Sequence, residues 1–239
     1  GFLTRGPSRK VEIAGIFPAL IGSFEISILV GIMAFPTGVA AAVYLAEYTG
    51  SSRLTSILRT NISNLSGVPS VIYGILGLAL FVRIAGFGFT VISAALTLTL
   101  LILPVVIIAS IEAIKAVPDA QREGAYALGA SRWQMVRQAV LPAAAPGIMT
   151  GIILAMSRAI GETAPLILVG AFTFVTFIPQ PFSGGYTVLP IQVYDWATRP
   201  QADFHGLAAA AIVVILVLML ALNALALVVR ARLSRHIQW

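Results

Sequence analysis

From Leu207 to Val229 the chain reads "LAAAAIVVILVLMLALNALALVV", without a charged residue. An α-helix rises about 1.5 Å per residue, so about 20 such residues cover the roughly 30 Å hydrocarbon core of a bilayer. The run predicts a membrane-spanning helix, and four further segments qualify. The first extends from about Ile26 to Leu45, with a start as early as Pro18 left open and Glu25 at or inside its boundary. A second lies between Arg59 and Arg83, centred on "VPSVIYGILGLALF", and a third between Arg83 and Glu112. The fourth begins near Leu141 and runs to about Val169, carrying Arg158 and Glu162 within it.

Composition points the same way. The 239 residues are 59% hydrophobic and 10% charged, whereas a soluble domain carries about 45–50% apolar and about 25% charged residues. An all-α membrane protein follows, and the net charge of +6 belongs to a basic bilayer face rather than to a nucleic-acid surface. Alternating the spans gathers Arg53, Arg59, Lys115, Arg122, Arg132, Arg137, Arg230, Arg232 and Arg235 on one side, which the positive-inside rule makes cytoplasmic. The other side holds Arg5, Arg9, Lys10, Arg83 and Arg199. This sidedness puts the N-terminus outside, and a further helix before Gly1 would reconcile it with the lack of any signal segment. The expected organisation is an extracytoplasmic segment 1–16, a transmembrane domain 17–230 and a cytoplasmic tail 231–239. Within the domain lie an inner connection 112–140 and an outer one 171–206. The Ser-Gly-Gly at the centre of the outer connection reads as a turn between two extended or interfacial pieces.

Without cysteine, and with only His205 and His236, the chain offers no disulfide or thiolate site, and a histidine metal centre is not expected. No GxxxxGK[ST] loop is present, since Lys10 and Lys115 are the only lysines and neither follows a glycine-rich loop. This chain is therefore not itself a P-loop ATPase. Neither GxSxG nor HExxH occurs, and no carboxylate cluster for two-metal hydrolysis is evident.

The inner connection reads "EAIKAVPDAQREGAYALGASRWQMVRQAVLPAAAPGI". Pro118 and Asp119 start a helix that Gly129 ends, and Ser131 caps a second short helix, Arg132 to Val140, stopping near Pro142. Glu123-Gly124-Ala125, then Gly129 after three residues, then Ala139-Val140-Leu141-Pro142 after nine more, resembles the EAA signature of ABC importer permeases. That resemblance implies that Glu123, Gly124, Ala125 and Gly129 belong to the element that docks on a separate ATPase subunit. Gly124 and Ala139 depart from the usual alanine and larger aliphatic residue, both on packing faces.

Arg158 follows some twenty uncharged residues, at a depth where insertion costs about 2.5–3.5 kcal/mol. Glu162 lies four residues on, so both fall on one helical face with Gly147, Gly151 and Ala155, a face whose GxxxG spacing fits close helix approach. The pair can be an intrahelical salt bridge that merely neutralises two costly charges, or part of an anion's path. "RAIGETAPL", "GVPSVIYGILGLALF" and "GVAAAVYLAEY" resemble the permeases of Pst-type phosphate importers, with "GETAPL" closer to the A-type, PstA, than to the C-type.

The resemblance covers the chain from about Pro18 to its end. It implies a type I ABC importer permease fold of six helices, five of them visible here. It further implies a PstC-type partner permease, two PstB-type ATPases holding ATP and Mg, an extracytoplasmic phosphate-binding protein and a bacterial or archaeal inner membrane. No cofactor is expected in this chain, and the path residues it implies are Arg158, Glu162 and Thr163. A guanidinium suits phosphate oxygens, and a neighbouring carboxylate can accept a hydrogen bond from the proton that phosphate keeps near neutral pH and sulfate does not.

Weaker signals remain open. Glu25 is a gate or a snorkelled carboxylate, Trp133 an interface anchor or an ATPase contact. Asp195, Trp196 and Asp203 are outer surface or a contact for the binding protein. Asn61-Ile62-Ser63 and Asn64-Leu65-Ser66 match the glycosylation pattern but lie on the inner side. Three alternatives stand beside phosphate import: a permease for another oxyanion, an ion-coupled secondary transporter using Arg158 and Glu162 as a relay, and an enzyme acting on lipid phosphates.

Overall fold

The computed structural model describes residues 1–50, 52–171, 174–182 and 184–234. Arg235 and His236 fall outside them, as does Ser183 of the expected Ser-Gly-Gly turn. The described residues form ten α-helices and no strand beyond a single bridge between Ala171 and Tyr186. α1 (Phe17–Val43) ends in a π-helical turn, Tyr44–Tyr48. α2 (Arg53–Ser66) is capped by Ser52, whose Oγ accepts from the Thr55 N–H at 3.1 Å. α3 (Ser70–Gly77) runs on into a second π-helical stretch, Leu78–Ile84. α4 spans Val91–Lys115 and α5 Asp119–Ala127. α6 (Arg132–Met135) passes through a third π-helical turn, Val136–Val140, into α7 (Leu141–Gly161). α8 (Ala164–Leu168), α9 (Leu189–Thr198) and α10 (Asp203–Ser234) complete the order.

Among the described residues, four helical stretches are long and apolar enough to cross a membrane: Phe17–Tyr48, Val91–Lys115, Arg132–Gly161 and Asp203–Arg232. The span predicted between Arg59 and Arg83 is not a straight helix. α2 and the stretch Ser70–Ile84 meet at a bend of 100°, because Pro69 forces Val68 out of the helical region and supplies no N–H of its own. Two boundaries also move. The first span opens at Phe17, with Pro18 in the first turn where its missing N–H costs nothing, so Glu25 sits well inside the helix. The expected short helix from Arg132 is instead the start of a long one that Pro142 does not stop. The wide turn just before it loosens the ladder into which a proline ring would otherwise clash.

The outer connection differs most. Its second half is α9, with Leu189, Ile191, Gln192 and Trp196 buried, so Trp196 is core and not a surface for a partner. Proline at its first turn starts α9, and its apolar side seals against neighbouring helices.

The chain divides into two compact units. One comprises Gly1–Met33, Val68–Leu101 and Arg158–Ala221; the other comprises Ala34–Gly67, Ile102–Ser157 and the residues from Leu222 onward. In the first, Ile16 and Ala19 of the α1 region, Leu189 and Trp196 of α9, and Phe204, Ala208 and Ala211 of α10 form one core. Phe2 adds its ring 6.0 Å from that of Trp196. In the second, Ile107, Ile111 and Ile114 of α4 pack with Met135, Val136, Val140, Ala144 and Ile148, and with Ala42, Val43 and Leu45. Here the GxxxG face is used as expected. A Cβ on Gly147 would lie 2.7 Å from the Ala113 Cβ, and one on Gly151 would collide with the Ala109 Cβ.

Gly151→Leu is therefore expected to destabilise the protein by about 1–3 kcal/mol, through overpacking at a contact between two helix backbones. Gly124→Ala, where nothing lies within 4 Å, should leave stability unchanged or slightly raised. Thermal unfolding of the two detergent-solubilised variants separates these outcomes.

Candidate functional site

Arg158 occupies the last turn of α7, where a cation complements the negative end of the helix dipole. Its Nε donates to Oε1 of Glu162 at 3.3 Å, with the arginine side chain 38% and the glutamate 16% exposed. Glu162 is not on the helix, as the four-residue spacing suggested. α7 stops at Gly161, and Glu162 and Thr163 form a break before α8. The cause is Pro165: within a continued helix its ring would clash with the Gly161 carbonyl and it would give no N–H. Placed in the first turn of α8 its ring has no preceding turn to meet, and no N–H is needed there. Thr163 caps α8 through its backbone, its carbonyl accepting from the Ile167 N–H at 3.1 Å.

The break is braced from two sides within the same unit. α3 lies so close to α8 that a Cβ on Gly74 would come within 2.7 Å of the Pro165 Cα. Next to Gly74, the buried Tyr73 lies within the electrostatic reach of Arg158. From the outer connection, the buried phenol of Tyr186 lies 3.4 Å from both the Leu166 and Val169 carbonyls and donates to them. Burial pushes that phenol above its ordinary value. The Ser23 hydroxyl of α1 accepts from the Leu189 N–H at 2.9 Å, which fixes the end of the same connection. The arrangement can present a permanent cation, with its charge partly balanced by a carboxylate, at a point where a helix is interrupted.

The second predicted group lies in the other unit. Glu123 and Gly124 are exposed on α5, while Ala125 is half-buried and packs on the unit's core. Gly129 has φ +80, the left-handed conformation that favours glycine. It closes α5 with the Schellman pattern: the Gly129 N–H donates to the Tyr126 carbonyl at 2.9 Å and that of Ala130 to the Ala125 carbonyl at 3.1 Å. Ser131 then starts α6 with a complete capping box with Gln134.

Other expected residues fall as follows. Trp133 is exposed at the start of α6. Asp195 is bound to Arg199 at 2.7 Å, and Asp203 is exposed in the first turn of α10. Glu25 is half-buried on α1, its Oε2 without a partner among the described residues. Sequence reasoning passed over Tyr73, Tyr186 and Glu47, and gave Arg122 no part beyond the basic face. Only Glu47, a lone carboxylate at the end of an apolar run, carried a signal that could have singled it out. No cluster of three His, Asp or Glu side chains suited to a metal ion occurs among the described residues.

The family model for "Binding-protein-dependent transport system inner membrane component" matches residues 16–235. The chain is 33% identical over 235 residues to the phosphate transport system permease protein PstA of Xylella fastidiosa (strain Temecula1), covering 97% of this chain and 79% of that one. It is 37% identical over 198 residues to PstA of Mycobacterium leprae, covering 82% and 64%. To the probable ABC transporter permease protein YqgI of Bacillus subtilis it is 39% identical over 172 residues, covering 72% and 58%. The chain thus spans about three fifths of the length of the last two relatives. Among solved structures, it is similar to a chain of the inward-facing MetNI methionine ABC transporter, with a TM-score of 0.70 at 19% identity, covering 94% of this chain and 98% of that one. It is also similar to a chain of an amino acid ABC transporter, with a TM-score of 0.63 at 18% identity, covering 90% and 92%. At these identities the structures attest the fold alone.

The Tyr186 bracing has a measurable pH signature. An acid whose folded-state value is raised contributes stability that is whole below its unfolded value, here 10.0, and declines as pH rises beyond it. Tyr186→Phe should cost about 1 kcal/mol at neutral pH yet weaken the alkaline loss of stability above that point. Denaturant unfolding of both proteins across that range decides it, and parallel alkaline profiles would remove the phenol from this role.

Proposed function

We propose that this chain, which belongs to the family of binding-protein-dependent transport system inner membrane components, is a permease subunit of an ATP-driven phosphate importer. It would form the anion's path together with a second, PstC-type permease. It would receive phosphate from an extracytoplasmic binding protein and be driven by two PstB-type ATPase subunits, with ATP and Mg held by those partners. Its place would be the inner membrane of a bacterium or archaeon, with α5 and the start of α6 on the cytoplasmic side. The likeness to PstA over nearly the whole chain supports this reading. So does the turn at Gly129, which ends α5 before the long helix that begins at Arg132 and leaves Glu123 and Gly124 exposed to meet a partner.

One observation carries the substrate: the Arg158–Glu162 pair at the break between α7 and α8. Nε is the edge of Arg158 that meets Glu162. Among the described residues its two terminal nitrogens meet no acceptor, so they are available to an oxyanion. Hydrogen phosphate can donate a hydrogen bond from its remaining O–H to the Glu162 carboxylate while its charged oxygens take the guanidinium. Sulfate has no proton to donate, so it would meet the carboxylate with repulsion alone. Glu162 thereby holds Arg158 and contributes to selection, and Thr163, beside it, lines the same break.

Two experiments test the reading, both with the assembled complex in liposomes. The wild type should take up labelled phosphate and not sulfate when ATP is supplied, and a proton-conducting uncoupler should not stop it. Arg158→Ala should assemble and abolish uptake, and Glu162→Gln should reduce the discrimination against sulfate by about tenfold or more. Sulfate uptake by the wild type would reassign the substrate, and uncoupler-sensitive uptake without ATP would replace the mechanism. Separately, Glu123→Lys and Gly129→Val should leave ATP hydrolysis running while uptake falls; unchanged uptake in both would end the coupling role of α5.

A further inference from the structure

Three arginines from three helices converge on the C-terminal turn of α1. Arg59 of α2 donates Nη2 to the Leu45 carbonyl at 2.5 Å. Arg132 of α6 donates Nη2 to the Glu47 carbonyl and sets its guanidinium 5.0 Å from the centre of the Tyr48 ring. Arg122 of α5 takes the Glu47 carboxylate itself, with Nε at 3.1 Å and Nη2 at 2.8 Å from Oε1. A helix end carries unsatisfied carbonyls and partial negative charge, so cations are favoured there and a carboxylate is not. Glu47, 7% exposed, is tolerated at that end only because it is matched.

Arg122 is committed in full. Besides Glu47 it donates Nη1 to the Val117 carbonyl at 2.7 Å and to Asp119 Oδ1 at 3.0 Å, and Nη2 to the Ile114 carbonyl at 2.9 Å. These five bonds equal the five N–H groups a guanidinium owns. Nothing remains for a ligand or a partner chain, although the next residue, Glu123, is exposed. One side chain thereby ties α5 to the ends of both α1 and α4. Lysine could not replace it, having neither the fork nor enough donors.

We propose that Arg122 and Glu47 are the joint through which movement of α5 is passed to α1 and α4. They are a positioning pair that lies outside the ion path and makes no contact with the ATPase. This rests on the reading of α5 as the coupling helix.

The test uses the assembled complex in liposomes with Glu47→Ala, Glu47→Gln and Arg122→Lys. All three should hydrolyse ATP, while phosphate taken up per ATP falls about five- to tenfold in Glu47→Ala and Arg122→Lys. Glu47→Gln, which keeps an oxygen acceptor, should fall between them and the wild type. A role confined to holding the fold would lower assembly and leave this ratio unchanged, and that result overturns the proposal. If Glu47→Ala does not assemble, the ratio in Arg122→Lys decides in the same way.

A second readout does not depend on the substrate. The chain has no cysteine, so Tyr44→Cys and Ala127→Cys, both at exposed positions, accept a nitroxide pair spanning the joint. Their distance should stay narrow with and without ATP and broaden when Glu47→Ala is added; equal breadth in both overturns the joint. Failure of phosphate uptake by the wild type with a narrow distance would instead overturn the transport reading and leave the joint standing.

Discussion

A charge removed from water must be matched, and in a chain this apolar that requirement governs where each ionic group sits. Pairing in a poorly solvated site seldom adds much net stability, yet breaking a pair leaves an uncompensated charge and is severely destabilising. Both ion pairs that matter here fall where a helix ends: Arg158 with Glu162 where α7 stops, and Arg122 with Glu47 where α1 finishes in its π turn. Helix ends supply the partial charges and free carbonyls that help to satisfy such groups. The same places are where a backbone can bend.

The two pairs differ in what they leave over. Arg122 is saturated, and its surroundings read as a mechanical element whose donors all serve the protein. Arg158 meets Glu162 through one nitrogen and is more exposed, which suits the role proposed for it. Two arginines of one chain thus differ in what they leave over, and the difference lies in donor accounting, not in residue type.

Much of this was legible in the sequence because it is local. Apolar runs of membrane length, the Ser131 cap, the glycine that ends α5 and the close-packed face of Gly147 and Gly151 each follow from a few adjacent letters. The breaks were harder. Pro69 and Pro165 were visible, but whether a proline ends a helix, starts one or is absorbed depends on the turn before it, as Pro142 illustrates. Burial of Trp196 was hidden, since α9 is short and its apolar side resembles an interfacial loop until the core around it is seen. The Arg122–Glu47 pair joins residues 75 positions apart, and no periodicity carries that information.

The wide turn at Val136–Val140 has a geometric corollary. Such a turn amounts to one residue beyond what a regular helix requires, so it acts as slack in the numbering of Arg132–Gly161. A shortening by one residue inside it would restore ordinary winding and leave the stripes above and below in phase. The same deletion a few positions later would swing every following side chain by about 100°, carrying Gly151 off Ala109 and turning Arg158 to another bearing. The tolerance of this helix to changes in length is therefore concentrated in five residues.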